Sequence, residues 1–512
     1  MSKVKRILSV IMAMVMVLAM SVPTFAAGTG LPNEDDTAIA TVTNIETGAT
    51  VTAYQIVKGE YNTNGFVKYV KAKDSLTIAN VTAPNSDEVT SIAAKIGTAN
   101  PDGLEKVTMN AAADGTTYNA QLGAGYWVVL VRGTTRVYNP ILVGVYYSES
   151  GSDNTMIQKP VVDATSNWDL ITTNAYAKST DITITKEAKD TANLGDEVKF
   201  TVNVDVPDYS DEYTADVTYV VTDELTGFEF SEDLVTASKV KVSVDATHTI
   251  TPDNYKVERT DATHLKVSFK SEWVKTNGKA KVTLVYPATM TGDAVNNVAH
   301  TNTATIEYTN NPGSTNTKSA TQKVYTFEVG GNVTGDILKK VKDELNADGT
   351  NKVLPNAEFT LYKDADCTQI YTNSKHTSNE YTVKSDRDGK LHIIGLDEGT
   401  YYLKETKAPQ GYTLNNTVYE IDVDATVTDE ELTEWTITVK STDGTASNTF
   451  SVNEGNVSLK DNKLTTTNIL NTKISSLPST GGIGTTIFTI GGCAIMIVAA
   501  GLFFATRRKT QK

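Results

Sequence analysis

From about residue 27 to residue 475 polar and apolar residues alternate, and the stretch is rich in Thr, Val and Tyr and broken by Asp-Gly, Asn-Gly and Asn-Asn-Pro turns. A period of two sends successive side chains to opposite faces of a strand, so such a chain buries its apolar face by laying sheet on sheet. The pattern predicts an all-β protein made of β-sandwich domains. One segment departs from it. Ser86, Asp87 and Glu88 offer a capped acidic start, and Val89, Ile92, Ala93 and Ile96 follow at helical spacing before Gly97, which predicts one short helix. A chain of 512 residues has room for roughly three or four such domains.

The two ends follow other rules. Lys3, Lys5 and Arg6 precede an apolar run from Ile7 to about Met20 and small residues to Ala27, the pattern of a secretory signal peptide over residues 1–26. Residues 483–506 carry no charge and are long enough, as a helix, to cross a bilayer. Arg507, Arg508, Lys509 and Lys512 follow, a basic tail over 507–512 that stays on the cytoplasmic side and leaves the preceding chain outside. Just before the span stand Leu477, Pro478, Ser479, Thr480 and Gly481. Motif, span and tail together resemble the cell-wall sorting signal read by sortases. In that resemblance a sortase cysteine attacks the Thr480 carbonyl, Gly481 leaves with the span, and an amine captures the acyl group. Membrane anchoring is then transient, and the product is secreted and covalently attached to peptidoglycan.

All seven charges in these end segments are basic, so of 46 basic residues 39 remain against 61 acidic ones, a net charge of −22. That balance argues against nucleic acid or anionic lipid as partners. Cys493 lies in the span and leaves Cys367 alone in the exported region, so no intramolecular disulfide can form. An exported array of this kind needs another source of durability.

Strand phase offers one. In Asp181-Ile182-Thr183-Ile184-Thr185-Lys186, Lys186 shares a face with Ile182 and Ile184. Asp223 shares one with Tyr219 and Val221, and Asn302 one with Ala304, Ile306 and Tyr308. Burial drives both a lysine and an aspartate toward their neutral forms. A neutral amine is a nucleophile, and a protonated Asp223 can polarise the Asn302 carbonyl, so the pair could close a Lys–Asn isopeptide bond with loss of ammonia. Phase alone leaves open that Lys186 reaches the surface while Asp223 caps a turn and Asn302 makes a routine bond.

The segment Val221-Thr222-Asp223-Glu224-Leu225-Thr226-Gly227 resembles the V-T-D-x-L-x-x-G segment of the middle domain in SpaA-type backbone pilins, and Asn302 to Tyr308, running into Asn310-Asn311-Pro312, resembles that domain's closing strand. The resemblance implies a Lys186–Asn302 cross-link promoted by Asp223. Further on, Leu354-Pro355-Asn356-Ala357-Glu358-Phe359-Thr360-Leu361 is similar to the L-x-G-A-x-F-x-L strand of Cna-B-like domains, with Asn356 in place of glycine. The run Tyr401 to Tyr412 matches the pilin E box at every defining position. The family thereby implies Glu405 as the catalytic acid and Asn471 as the acceptor. For the lysine, phase with Ile337 and Val341 favours Lys339, while spacing to the Leu354 strand leaves Lys340 open.

Backbone pilins also supply an intermolecular amine from a W-x-x-x-V-x-V-Y-P-K motif. Trp168 followed by Asn174-Ala175-Tyr176-Ala177-Lys178 resembles it, with Ala177 for proline and one extra residue, and this points to Lys178 as the inter-subunit lysine; a solvated linker lysine is the plain alternative. The expected organisation is an N-terminal pilin domain with the helix at 27–177, a middle Ig-like domain at 178–324 and a Cna-B-like domain at 325–475. In both later domains the lysine is expected in the first strand and the asparagine in the last. The run Asn310 to Asn316 is expected as a turn or linker.

These features predict a structural subunit of a sortase-assembled, wall-anchored pilus, not a turnover enzyme. Its partners are sortase, other copies of the chain, minor pilins and peptidoglycan, with a host or matrix ligand possible. The alternative is a monomeric wall-anchored adhesin. None of the five histidines sits in a metal-binding spacing, hydrolase and nucleotide motifs are absent, and Asp386-Arg387-Asp388-Gly389-Lys390 reads as a turn more readily than as a calcium loop. No metal or cofactor is expected.

Overall fold

The computed structural model describes residues 26–28, 31–97, 99–149, 156–157, 168–209, 215–292, 294, 296, 298–330, 337–374, 381–444, 447–453, 456–459, 467–474 and 484–509. The expected signal segment up to Phe25 and the motif from Leu477 to Gly481 lie outside the described residues. Two compact units result, one up to Thr326 and one from Phe327 onward.

The first unit holds two hydrophobic cores. One is built by a ten-stranded sheet whose central strand, Thr50–Asn62, pairs with Gly65–Lys71, Lys106–Ala111 and Gly125–Arg132. The helix Ser86–Ile96 buries Val89, Ile92, Ala93 and Ile96. Its cap is Asn85, one residue before Ser86: the Asn85 side chain accepts from Glu88 N at 2.9 Å, and Glu88 Oε2 accepts from Asn85 N at 3.0 Å.

The other core lies between two five-stranded sheets. One sheet contains Ile184–Glu187, Glu197–Asp205 and Lys281–Met290; the other contains Tyr219–Leu225, His300–Asn311 and Ser314–Val324. Pro287 interrupts Lys281–Met290 without breaking it. It stands opposite Lys199 on one edge, and on the other edge Phe228–Glu229 pairs with Met290 and Thr289 and Lys241–Val244 with residues 282–285, so residues 286–288 have no strand partner there among the described residues.

One expectation narrows here and one changes. Asn310 and Asn311 end a strand and Ser314 begins the next, so the Asn-rich run is a β-hairpin and not a linker. Asn302 therefore stands in the penultimate strand, not the last. A second short helix, Ser271–Thr276, buries Trp273 and Val274 and is too short to show a period. The hairpin also grips the N-terminal core. Tyr308 OH donates to Thr135 O, Asn310 Nδ2 donates to Thr134 O at 3.2 Å, and Asn311 Nδ2 donates to Val131 O.

In the second unit a sheet around Ile337–Leu345 faces a seven-stranded sheet that includes Glu358–Tyr362, Gly399–Lys407, Val418–Thr428 and Glu431–Ser441. Thr467–Asn471 lies parallel to Ile337–Leu345, with Lys339 opposite Ile469 and Val341 opposite Asn471. Asn356, standing where the family pattern has glycine, has φ +67°, a left-handed conformation that asparagine tolerates better than most residues. The terminal helix Gly484–Lys509 includes Ile487–Arg507, which is long and apolar enough to cross a membrane.

Candidate functional site: two buried lysine clusters

Lys186, Asp223 and Asn302 are all buried in the middle core, at 5 %, 3 % and 0 % exposure. The sandwich brings them together from opposite sides. Lys186 comes from one sheet, while Asp223 and Asn302 come from paired strands of the other, as diagonal neighbours, since Asp223 faces Ala304 and Leu225 faces Asn302. Lys186 Nζ lies 2.5 Å from Asp223 Oδ2 and 2.5 Å from Tyr286 OH. The Tyr286 hydroxyl in turn donates to Asp223 Oδ2. Asp223 Oδ1 and both polar atoms of the Asn302 amide lack a hydrogen-bond partner of good geometry, although the amide lies close enough to Asp223 and Tyr286 to act on both.

Burial lowers the lysine pKa against the opposing pull of Asp223, and burial raises the aspartate pKa against the pull of Lys186. Both shifts favour the state in which the proton has left the amine for the carboxylate. The closing glycine of the Asp223 segment is fixed by space: Gly227 has φ +72°, and a Cβ there would stand 2.2 Å from the His300 ring, which begins the asparagine strand.

In the second unit Lys339, Glu405 and Asn471 are buried at 0 %, 1 % and 1 % exposure. Lys339 Nζ donates to Asn471 Oδ1 and lies 3.3 Å from Glu405 Oε2; Asn471 Nδ2 donates to Glu405 Oε1 at 2.8 Å. Glu405 Oε2 also accepts from Asn415 N at 2.8 Å, and Asn415 Nδ2 donates to Leu470 O at 3.0 Å, so this loop ties the acid to the asparagine strand. Burial lowers the Lys339 pKa to about 8 against the attraction of Glu405. Lys340 points away from this cluster; its strand neighbour Lys339 alone enters it. Gly389, φ +76°, accepts from Lys339 N at 2.7 Å and leaves room for the lysine strand, since a Cβ there would lie 2.6 Å from Lys339 O.

Sequence reasoning missed Tyr286 and Asn415. Tyr286 lies in phase with the buried Leu284 and Ala288, and a tyrosine so placed needs a partner for its hydroxyl; that was the available signal. Asn415 stands in a loop and gave none.

Lys178 is exposed. Its backbone is held on both sides: Ala177 N donates to Thr43 O at 2.9 Å, Asn44 Nδ2 donates to Ala177 O at 2.7 Å, and Ser179–Thr180 pairs with Val137–Tyr138. Thr480 lies outside the described residues, and no group of residues able to hold a metal occurs among those described.

The T6 antigen Ig-like domain matches residues 35–202, the SpaA prealbumin-like domain 340–434 and the LPXTG cell wall anchor motif 470–512. The trypsin-resistant surface T6 protein of Streptococcus pyogenes serotype M6 is 30 % identical over 556 aligned positions, covering 93 % of this chain and 96 % of that protein. This chain belongs to the T6 family of Gram-positive major pilins. The pilin also shares the fold of the T6 backbone pilin of S. pyogenes, with TM-score 0.61 and 21 % identity over 86 % of this chain and 99 % of that one. The full-length major pilin SpaD of Corynebacterium diphtheriae gives TM-score 0.51 and 19 % identity over 86 % and 98 %. The pilin is a structural surface subunit, and its anchor motif and apolar C-terminal helix mark it as attached to the cell wall.

Proposed function

We propose that this pilin is the repeating subunit of a sortase-assembled shaft, with three domains at 27–177, 178–324 and 325–475, the later two each locked by a Lys–Asn isopeptide bond. The observation that carries the reading is the Lys339 ammonium donating to the Asn471 side-chain carbonyl, with Glu405 accepting from both Lys339 Nζ and the Asn471 amide nitrogen. Lys339 passes a proton to Glu405, the free amine adds to Asn471 Cγ, and Glu405, bonded to the Asn471 amide nitrogen through Oε1, relays protons between the two nitrogens. The proton on the new C–N nitrogen moves to the departing NH2, the old C–N bond breaks and ammonia leaves. Lys186, Asp223 and Asn302 support the same step in the middle domain.

Between subunits, sortase forms a thioester at Thr480 and releases the segment beginning with Gly481, and Lys178 of another copy then captures the acyl group. The exposure of Lys178 and the strand pairing on each side of it favour this role. Minor pilins and, at the end of assembly, peptidoglycan use the same acyl donor. The test is a denaturing gel of boiled wall extract from cells carrying the native chain or Lys178→Ala. The expected high-mass ladder collapses to monomer in the variant, and a ladder that survives removes Lys178 from the joint.

A further inference from the structure

We propose that Tyr286 is a further catalytic residue of the middle site: its hydroxyl, bonded to Lys186 Nζ and donating to Asp223 Oδ2, directs the acid proton to Oδ1, where it activates Asn302. This rests on the Lys186–Asn302 reading above.

The tyrosine ring is fixed from two sides, stacked on Phe200 at 6.2 Å and edge-on to Phe230 at 5.8 Å, so its hydroxyl has one direction. Burial beside Asp223 raises the phenol far above its ordinary range and keeps its proton in place. That proton goes to Oδ2, which also receives Lys186. An oxygen already accepting two hydrogen bonds is a poor site for the acid proton, so the proton given up by Lys186 settles on Oδ1. Oδ1 is the buried atom left without a partner, and the Asn302 amide, which interacts with the Asp223 side chain, has both its polar atoms in the same condition.

The neutral amine then commits its two hydrogens to Asp223 Oδ2 and Tyr286 O and keeps its lone pair for Asn302 Cγ. The new C–N bond forms while Oδ1–H supports the carbonyl oxygen. The extra proton on the attacking nitrogen passes to the amide NH2, ammonia leaves, and Tyr286 ends as it began.

The second unit reaches the same layout without a phenol. Lys339 Nζ stands 5.5 Å over the Phe359 ring, and the second donor on Glu405 Oε2 is the Asn415 peptide N–H, leaving Oε1 for Asn471. In both clusters one carboxylate oxygen carries the lysine and a second donor, and the other oxygen is left for the asparagine.

The test follows full-length chain carrying Tyr286→Phe in a pulse–chase, with mass spectrometry of the peptide joining Lys186 to Asn302. The Lys339–Asn471 peptide in the same sample serves as the control. Removing the hydroxyl is expected to slow the middle bond by about tenfold or more and to move the pH at which its rate is half-maximal, while the control is unchanged. A packing defect would lower the rate equally at every pH and would overturn the proposal, as would an unchanged rate and profile. Should the variant fold poorly, 3-fluorotyrosine at 286 keeps ring and hydroxyl and changes only the phenol's acidity; an unaltered middle-bond rate then overturns it. Absence of the middle peptide in the native chain would instead remove the parent reading.

Discussion

The middle and third clusters contain the same three kinds of residue in opposite arrangements. In the middle core the carboxylate shares a sheet with the asparagine, and the lysine reaches across from the facing sheet. In the third the lysine and asparagine sit on adjacent parallel strands, and Glu405 reaches across. A bond in the first case staples sheet to sheet; in the second it joins two strands already paired. The chemistry therefore does not require one strand order. What the two clusters share is a dry lysine, a carboxylate with one oxygen held by two donors, and a buried asparagine amide.

The arrangements also differ in what they leave outside the covalent loop. Ser314–Val324 follows Asn302 and is antiparallel to its strand, with Val324 opposite His300, so a pull on its end opens the pairing one bond at a time. Thr467–Asn471 is parallel to the first strand of its domain, so a pull on the two ends shears all its bonds together, each worth about 1 kcal/mol, before loading the isopeptide.

The largest predicted contrast is mechanical. A single subunit pulled between Lys178 and Thr480 should release the stretch after Asn302 up to Val324, roughly 70 Å of chain at about 3.3–3.6 Å per residue, and very little from the third domain. Release of the whole Lys186–Asn302 loop would break the comparison.

Glu405→Ala should abolish the third bond alone. It removes loop closure worth roughly 5 kcal/mol by analogy with disulfides and leaves Lys339 buried without its acid, a loss of about 3–5 kcal/mol. Denaturant unfolding followed in the second unit, with the middle bond intact, checks this.

Asn471→Ala keeps Lys339 as an amine with its pKa lowered to about 8 in the folded chain, below the ordinary 10.5. Between those values the unfolded chain binds more protons, so the variant's stability should rise with pH through that window, by roughly 3 kcal/mol in all. The native chain, with an amide nitrogen at this position, should show no such slope. Equal slopes in the two would mean that Lys339 is not consumed. The smallest effect belongs to Lys340→Ala, which should change stability by less than about 0.5 kcal/mol and leave both bonds intact, sharpening the assignment to its neighbour.

What could be read from the sequence follows from which signals are local. Period-two alternation puts Lys186, Asp223 and Asn302 on apolar faces without knowledge of which strands meet, because phase is a property of each strand alone. The E box and the motif around Asp223 are contiguous, and the glycine closing the latter has a physical reason in the close approach of His300. Strand order is not local. The extra strand Ser314–Val324 was hidden because Asn310-Asn311-Pro312-Gly313 serves equally as a linker or a tight turn, and only pairing decides between them. Tyr286 and Asn415 were missed because their significance depends on which carboxylate oxygen lies opposite.

The central claim is that each cluster closes a covalent bond. Intact mass of the unpolymerised chain, residues 27–475 produced without signal peptide and sorting motif, followed by peptide mapping, tests it most directly. The account predicts a chain lighter by two ammonia than its processed sequence, with peptides joining Lys186 to Asn302 and Lys339 to Asn471. A mass equal to that of the processed sequence, with all four residues recovered in separate linear peptides, would contradict it.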